Sequence, residues 1–282
     1  MCELNTRSFV LLFATAVVGC FILKVVNNPN GMRVLASQAT EAGSNAQTGD
    51  IVNQNALLAK WEGPFGGVPP FDQVQVSLFK PALEAAMAEQ LSEIAKIAAD
   101  PAAPNFENTI TPLERSGRPL NRVQTVYGVW ASTMSGPEFQ VVQREMAPRL
   151  AAFSDKITQN EQLFRRIEAV YNSREKARLT PEQQRLSWLY YTNFVRAGAR
   201  LNAEAKARLS QINQKLAGLY TRFSQNVLAE ETDQFIALKT EADLAGLPSS
   251  VRDAAAAAAT AKKIPGEWVI MNTRSSTDPF LT

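Results

Sequence analysis

Histidine is absent from all 282 residues. Imidazole is the usual base of catalytic triads, the usual acid–base group near neutral pH, and the usual ligand of hydrolytic zinc, so none of those devices can be complete within this chain. Cysteine is almost as scarce. Cys2 and Cys20 both stand near the amino terminus, which excludes a disulfide framework or a thiolate metal cluster from the body. The fold must therefore stand on packing. Charge of one sign is missing too: 29 Lys and Arg against 27 Asp and Glu leave a net charge of +2. Basic residues form no stripe interleaved with stacking aromatics, so a nucleic-acid partner is not expected.

The remaining candidates for chemistry are weak. Glu230 and Glu231 are adjacent. Neighbours on a helix point to different faces, and no third oxygen ligand is spaced to join them, so a solvated face is the reading. The glycine- and proline-rich stretch WEGPFGGVPPFDQV from Trp61 has neither a preceding strand nor the lysine and hydroxyl of a phosphate loop. Its Trp61, Phe65 and Phe71 are read as anchors packed on the body. Tyr127, Trp130, Tyr190 and Tyr191 suit either a peptide groove or a core, and their helical spacing favours the core. The residues themselves offer no catalytic group and no metal ligand.

What is present begins with an apolar run, SFVLLFATAVVGCFILKVV from Ser8 to Val26, interrupted only by Lys24 and preceded by Arg7. Such a run is an export signal or a membrane anchor, so residues 1–26 place the protein in the cell envelope, periplasmic or tethered to the membrane. Val17-Val18-Gly19-Cys20 resembles a bacterial lipobox and makes Cys20 a candidate lipid attachment site. The apolar FILKVV that follows suits an uncleaved anchor better, with Cys20 as one small apolar residue within it. Cleavage after Ala36 is a third route. Residues 27–56 are polar, small and aperiodic, the composition of a flexible linker.

From residue 57 onward the pattern is helical. Leu83, Met87, Leu91, Ile94 and Ala98 share a face between Pro81 and Pro101. Phe139, Val142, Met146, Leu150 and Phe153 form a second stripe, and Leu163, Ile167, Val170 and Tyr171 a third. A start at Thr180-Pro181 leads into Leu186, Leu189, Tyr190 and Phe194. The longest stripe, Leu209, Ile212, Leu216, Leu219, Phe223 and Val227, predicts one extended amphipathic helix from about Asn202. Neighbouring stripes are expected to cover it, since its apolar face is broader than a coiled-coil seam. QFIALK at 234–239 and EWVIMN at 267–272 read as a pair of short strands around a turn at Gly246 and Pro248 and an alanine-rich helix. Pro279 is read as the start of a further segment. The expected fold is mainly α, a layered antiparallel helical array with a small β pair near the carboxyl end.

NFENTITPLERSG at 105–117 admits two registers. In one, Thr111-Pro112-Leu113-Glu114 is a capping box that starts a helix. In the other the helix starts at Asn105 and takes Pro112 into its interior. The local sequence favours neither.

That segment, with GPFGGVPPFDQV, FKPALEAAM, LFRRIEAVY, FVRAGARL, FSQNVLAEE, DLAGLP and STDPFLT in this order, resembles the amino-terminal region of the thimet-oligopeptidase-like zinc metallopeptidases. The opening looks most like the peptidyl-dipeptidase Dcp branch, and the resemblance covers roughly residues 55–282. It implies a mostly helical enzyme with a deep channel, one wall of which is formed by the amino-terminal helices and admits short unstructured oligopeptides. In complete members an H-E-x-x-H helix and a later glutamate bind zinc, whose water attacks the peptide bond and releases a carboxyl-terminal dipeptide. None of those residues can be carried over onto this chain, which has no histidine. The expectation is a chain truncated before the zinc-binding part, without a cofactor of its own and inactive alone; in a split-enzyme variant of this reading a second polypeptide carries the zinc half. The alternative is a membrane-tethered, non-catalytic peptide-binding or scaffold module.

Overall fold

The computed structural model describes residues 55–64 and 67–281. The apolar run, Cys20, nearly all of the expected linker and Phe65 lie outside the described residues. The rest is a mainly helical layered array with one two-stranded sheet near the carboxyl end, as the periodicities predict. The described residues divide into two compact units, one up to Leu219 and the other from Tyr220 onward.

The spine of the first unit is α1 (Val76–Ala98). Its expected start, Pro81, lies inside it. The apolar stripe explains the difference: Phe79, Ala82, Leu83 and Ala86 are all buried, so the face to be covered begins before the proline. Pro81 forfeits the bond it would have donated to the Ser77 carbonyl, and Ser77 is exposed, where water can satisfy that oxygen. After α1 come α2 (Thr111–Arg115), α3 (Arg118–Thr133), α4 (Pro137–Thr158), α5 (Glu161–Asn172), α6 (Pro181–Arg196) and α7 (Ala203–Asp233). Thr180 caps α6 through a reciprocal pair with Gln183, at the expected boundary.

Two cores share α1. Its first half contributes Phe79, Leu83 and Met87 to a cluster with Leu57, with Val123, Val126 and Trp130 of α3, and with Phe139, Met146 and Phe153 of α4. Phe79 is the hub, with ring centroids 5.1 Å from Phe139 and 5.6 Å from Trp130. Its second half gives Ile94 and Ile97 to a cluster with Ile110, Leu113, Leu163, Phe164, Ile167, Val170 and Phe194. Polar pairs on the surface report direction. Lys80 pairs with Glu145 and Glu84 with Arg149, a step of four on each helix, so α1 and α4 run the same way. Between them α3 runs in reverse, with Gly117 N donating to Glu93 Oε2 at 2.7 Å near one end and Tyr127 against Phe79 near the other.

The ambiguous segment adopts the earlier register. Asn105 and Asn108 cap each other reciprocally, Asn108 N to Asn105 Oδ1 at 2.9 Å and Asn105 N to Asn108 Oδ1 at 2.8 Å. The helix then opens to a π turn over Phe106–Ile110 before continuing as α2, and Thr111 N bonds to Phe106 O, five residues back. A proline cannot donate to the fourth carbonyl back and its ring crowds that carbonyl. A wider turn just ahead of Pro112 relieves both demands. Upstream, an isolated bridge joins Glu62 and Val68, and Gly67 sits at φ +109° with its Cα against Trp61. A Cβ there would lie 2.6 Å from the Trp61 carbonyl oxygen, so only glycine fits.

In the second unit β1 (Phe235–Leu238) pairs antiparallel with β2 (Trp268–Met271), Phe235 opposite Met271 and Leu238 opposite Trp268. Between them lie a turn with Gly246 at φ +86° and α8 (Ser249–Ala261), which packs Ala255 and Ala259 with Val269 and Ile270 in the buried interior. Asp243 Oδ2 accepts from the backbone N–H groups of Lys239 and Thr240, which hold its carboxyl below the usual range. The last helix, α9 (Arg274–Leu281), starts before Pro279 rather than at it. Its first turn is already fixed by Thr277 N bonding to Thr273 O and by Ser276 Oγ accepting from Met271 N.

Candidate functional site

The aromatic residues open to either a groove or a core take the core. Trp130 is 7% exposed. Tyr127 lies with its ring 5.0 Å from Phe139, and burial pushes its phenol well above the ordinary range. Tyr190 packs against the second core and donates to Glu114 Oε2 at 2.5 Å; burial first, and then that carboxylate, push its phenol up. Tyr191 stacks on Tyr171 with centroids 4.2 Å apart, and its hydroxyl meets Arg200 Nη2 at 2.6 Å. The same Arg200 Nη2 is 2.6 Å from Glu168 Oε1. The hydroxyls of Tyr190 and Tyr191 thus each meet a partner from another element, which makes these two residues ties within the helical body rather than free binding groups. On α6 the stripe is narrower than expected, because Leu189 is 39% exposed.

A buried cation that the periodicity passes over holds this architecture. Arg166 lies on the apolar face of α5 between Leu163 and Val170 and is 6% exposed. Its Nη1 donates to Asp100 O at 2.6 Å and Ala102 O at 3.0 Å. Its Nη2 donates to Asp100 Oδ2 at 3.2 Å and Asn108 Oδ1 at 3.0 Å. The planar fork of the guanidinium suits this task, since one rigid group answers four acceptors from the loop after α1 and the turn before Pro112. The signal was in the sequence: an arginine three residues after Leu163 and four before Val170 stands where the stripe asks for an apolar residue.

None of these groups is arranged for catalysis. Among the described residues no three of His, Cys, Asp and Glu come together as a metal site, so these residues do not fit the zinc that the family resemblance implies. Ser77 and Lys80 are spaced as S-x-x-K, a nucleophile pattern. The Lys80 ammonium instead faces Glu145 Oε2 at 2.6 Å, and that pairing, by hydrogen bond first and then by charge, lowers the glutamate's titration range. A lysine so engaged is not poised to take a serine proton. Glu230 and Glu231 are both exposed, as expected.

One surface departs from the expectation of a covered stripe. In the first unit α7 is seated on one side by Lys206 Nζ, which donates to Gln159 O and Glu161 Oε1 at 3.2 Å each, and by Asn213 Nδ2, which donates to Asp155 Oδ1 at 2.7 Å. On another side a shallow groove is lined by Arg208, Gln211, Ile212, Lys215, Leu216 and Leu219. Ile212, Leu216 and Leu219 are 42%, 39% and 49% exposed. Three large apolar side chains in one helical row, open to solvent, mark a surface built for contact rather than for water.

No family model matches the chain. Among curated proteins, dipeptidyl carboxypeptidase of Escherichia coli (strain K12) is 34% identical over 213 residues, 76% of this chain and 31% of that protein. Dipeptidyl carboxypeptidase of Salmonella typhimurium is 34% identical over 230 residues, 82% of this chain and 34% of that protein. Oligopeptidase A of Haemophilus influenzae is 28% identical over 200 residues, 71% and 29% respectively. The chain spans about a third of the length of these curated relatives.

Proposed function

From a chain related to the thimet-oligopeptidase-like peptidases on their dipeptidyl-carboxypeptidase side, we propose that these residues form the non-catalytic wall of a peptide channel in an exported zinc oligopeptidase. The wall gives the channel its rigid side and limits access to extended peptides. Hydrolysis, with release of a carboxyl-terminal dipeptide, belongs to zinc-binding residues outside these 282. The observation that carries the reading is the similarity over about three quarters of the chain to two dipeptidyl carboxypeptidases. The absence of histidine from the sequence supports assigning the chemistry elsewhere. Export and tethering rest on the apolar run at residues 8–26 and on Cys20 as a lipid attachment candidate.

A second reading, a membrane-tethered peptide-binding or scaffold module without catalysis, draws on the closed cores around Phe79 and Ile94 and on the Arg166 network, all formed within this chain. Equilibrium dialysis of the full chain against zinc tests the wall reading. The expected result is no tightly held metal, and one zinc retained per chain in the presence of a weak chelator would overturn it.

A further inference from the structure

The exposed row of α7 in the first unit has chemistry that selects an occupant. Arg208 and Lys215 stand seven residues apart, two turns along one flank of the groove formed by Ile212, Leu216 and Leu219. No acidic residue lines this groove, and neither cation makes an ion pair among the described residues. Leu209, Ile212, Leu216 and Leu219 alternate in steps of three and four, the spacing that receives the side chains of a second helix. Two cations flanking such a row favour carboxylates on the helix that enters it. The chain also spans only about a third of its relatives' length, so most of the relatives' chain has no counterpart here to cover the row.

We propose that this groove docks an amphipathic helix with carboxylates along one flank, contributed by the part of the peptidase fold that this chain does not span. Arg208 and Lys215 set its direction and register, and Ile212, Leu216 and Leu219 supply the apolar contact. A second copy of α7 is disfavoured, because an antiparallel self-pair brings the basic flanks together.

The inference rests on the reading of the chain as a peptidase wall, and two designed helical peptides test it apart from that reading. Both carry the same leucine seam; one has glutamates along its flank and the other lysines. Fluorescence anisotropy with the full chain is expected to show the glutamate peptide binding at least about tenfold more tightly than the lysine peptide, with the gap closing as salt is added. Arg208→Glu with Lys215→Glu reverses the preference, and Leu216→Asn weakens both peptides. All three positions lie on the exposed side of α7, and a thermal melt checks that each variant is folded. Equal affinity for the two peptides, or no binding, overturns the proposal. So does a dimer in sedimentation that Leu216→Asn disperses, or uptake by phosphatidylglycerol vesicles that the same variant abolishes. A chain that hydrolyses peptides unaided yet still prefers the glutamate helix refutes the wall reading alone. A chain inert toward peptides and blind to flank charge refutes the docking alone.

Discussion

Arg166 Nη2 donates to Asn108 Oδ1 across 3.0 Å, joining α5 to the π turn that precedes Pro112. The same Asn108 oxygen accepts the Asn105 N–H that closes the cap, and its amide nitrogen donates to Ala103 O. One buried cation therefore holds the loop after α1 and the helix start that follows it. Replacing it by methionine keeps most of the volume but strands Asp100 and several carbonyls. The expected loss is about 3–5 kcal/mol in denaturant unfolding. Arg166→Lys should recover only part, since an ammonium cannot span four acceptors in a plane. A methionine variant within about 0.5 kcal/mol of the parent would show that the network contributes little.

This network marks the boundary of what the sequence made legible. The stripes of α4 and α5 lie where their periodicity puts them, because burying a row of Leu, Ile and Phe leaves a helix little choice of face; α7 forms as one long helix as expected, but its row stays exposed. The two short strands form and pair antiparallel where QFIALK and EWVIMN predict them. Two proline positions mislead the reading, and a third, Pro112, leaves two registers open. Pro81 and Pro279 look like helix starts but lie inside helices, and Pro112 is accommodated by a π turn. In α1 the buried contacts of Phe79 outweigh one lost backbone bond, a comparison that requires the tertiary partners. The site was less legible than the fold. Arg166 showed only as a charge out of place in a stripe, and the bare row of α7 depends on what does not cover it, which no local pattern encodes.

Gly67 offers a sharper local test. At φ +109°, with Trp61 backbone 2.6 Å from any added Cβ, alanine must shift the chain around the Glu62 and Val68 bridge. Gly67→Ala is expected to destabilise by about 1–3 kcal/mol. Gly128→Ala in α3, with nothing within 4 Å of the new methyl, should stabilise by about 0.5–1 kcal/mol. The opposite signs, read from paired thermal melts, separate backbone strain from generic sensitivity to substitution.

The ties of Tyr190 predict behaviour at alkaline pH. Burial, and then Glu114, raise its phenol above the unfolded value of about 10. Around and above that value the native state keeps a proton that the unfolded state loses, so stability falls as pH rises. Below it the contribution is fully present. Tyr127 adds in the same direction through its own burial. Unfolding measured from about pH 9 to pH 11 should show a steep decline that Tyr190→Phe makes shallower. An unchanged slope in that variant would remove Tyr190 from the account.

Phe79 tests whether the first core is a single body. It touches Tyr127, Trp130 and Phe139 and is fully buried. Phe79→Ala is expected to lose about 3–5 kcal/mol and, in hydrogen exchange, to expose α3 and α4 together with α1. Loss of protection confined to α1 would mean that the three helices do not share one core.

The central claim is that these residues shape a channel and supply no chemistry. Its most direct test is mass-spectrometric analysis of an unstructured oligopeptide incubated with the purified full chain and zinc, with and without chelator. The account predicts that the peptide stays intact in both. Release of carboxyl-terminal dipeptides that the chelator abolishes would contradict it.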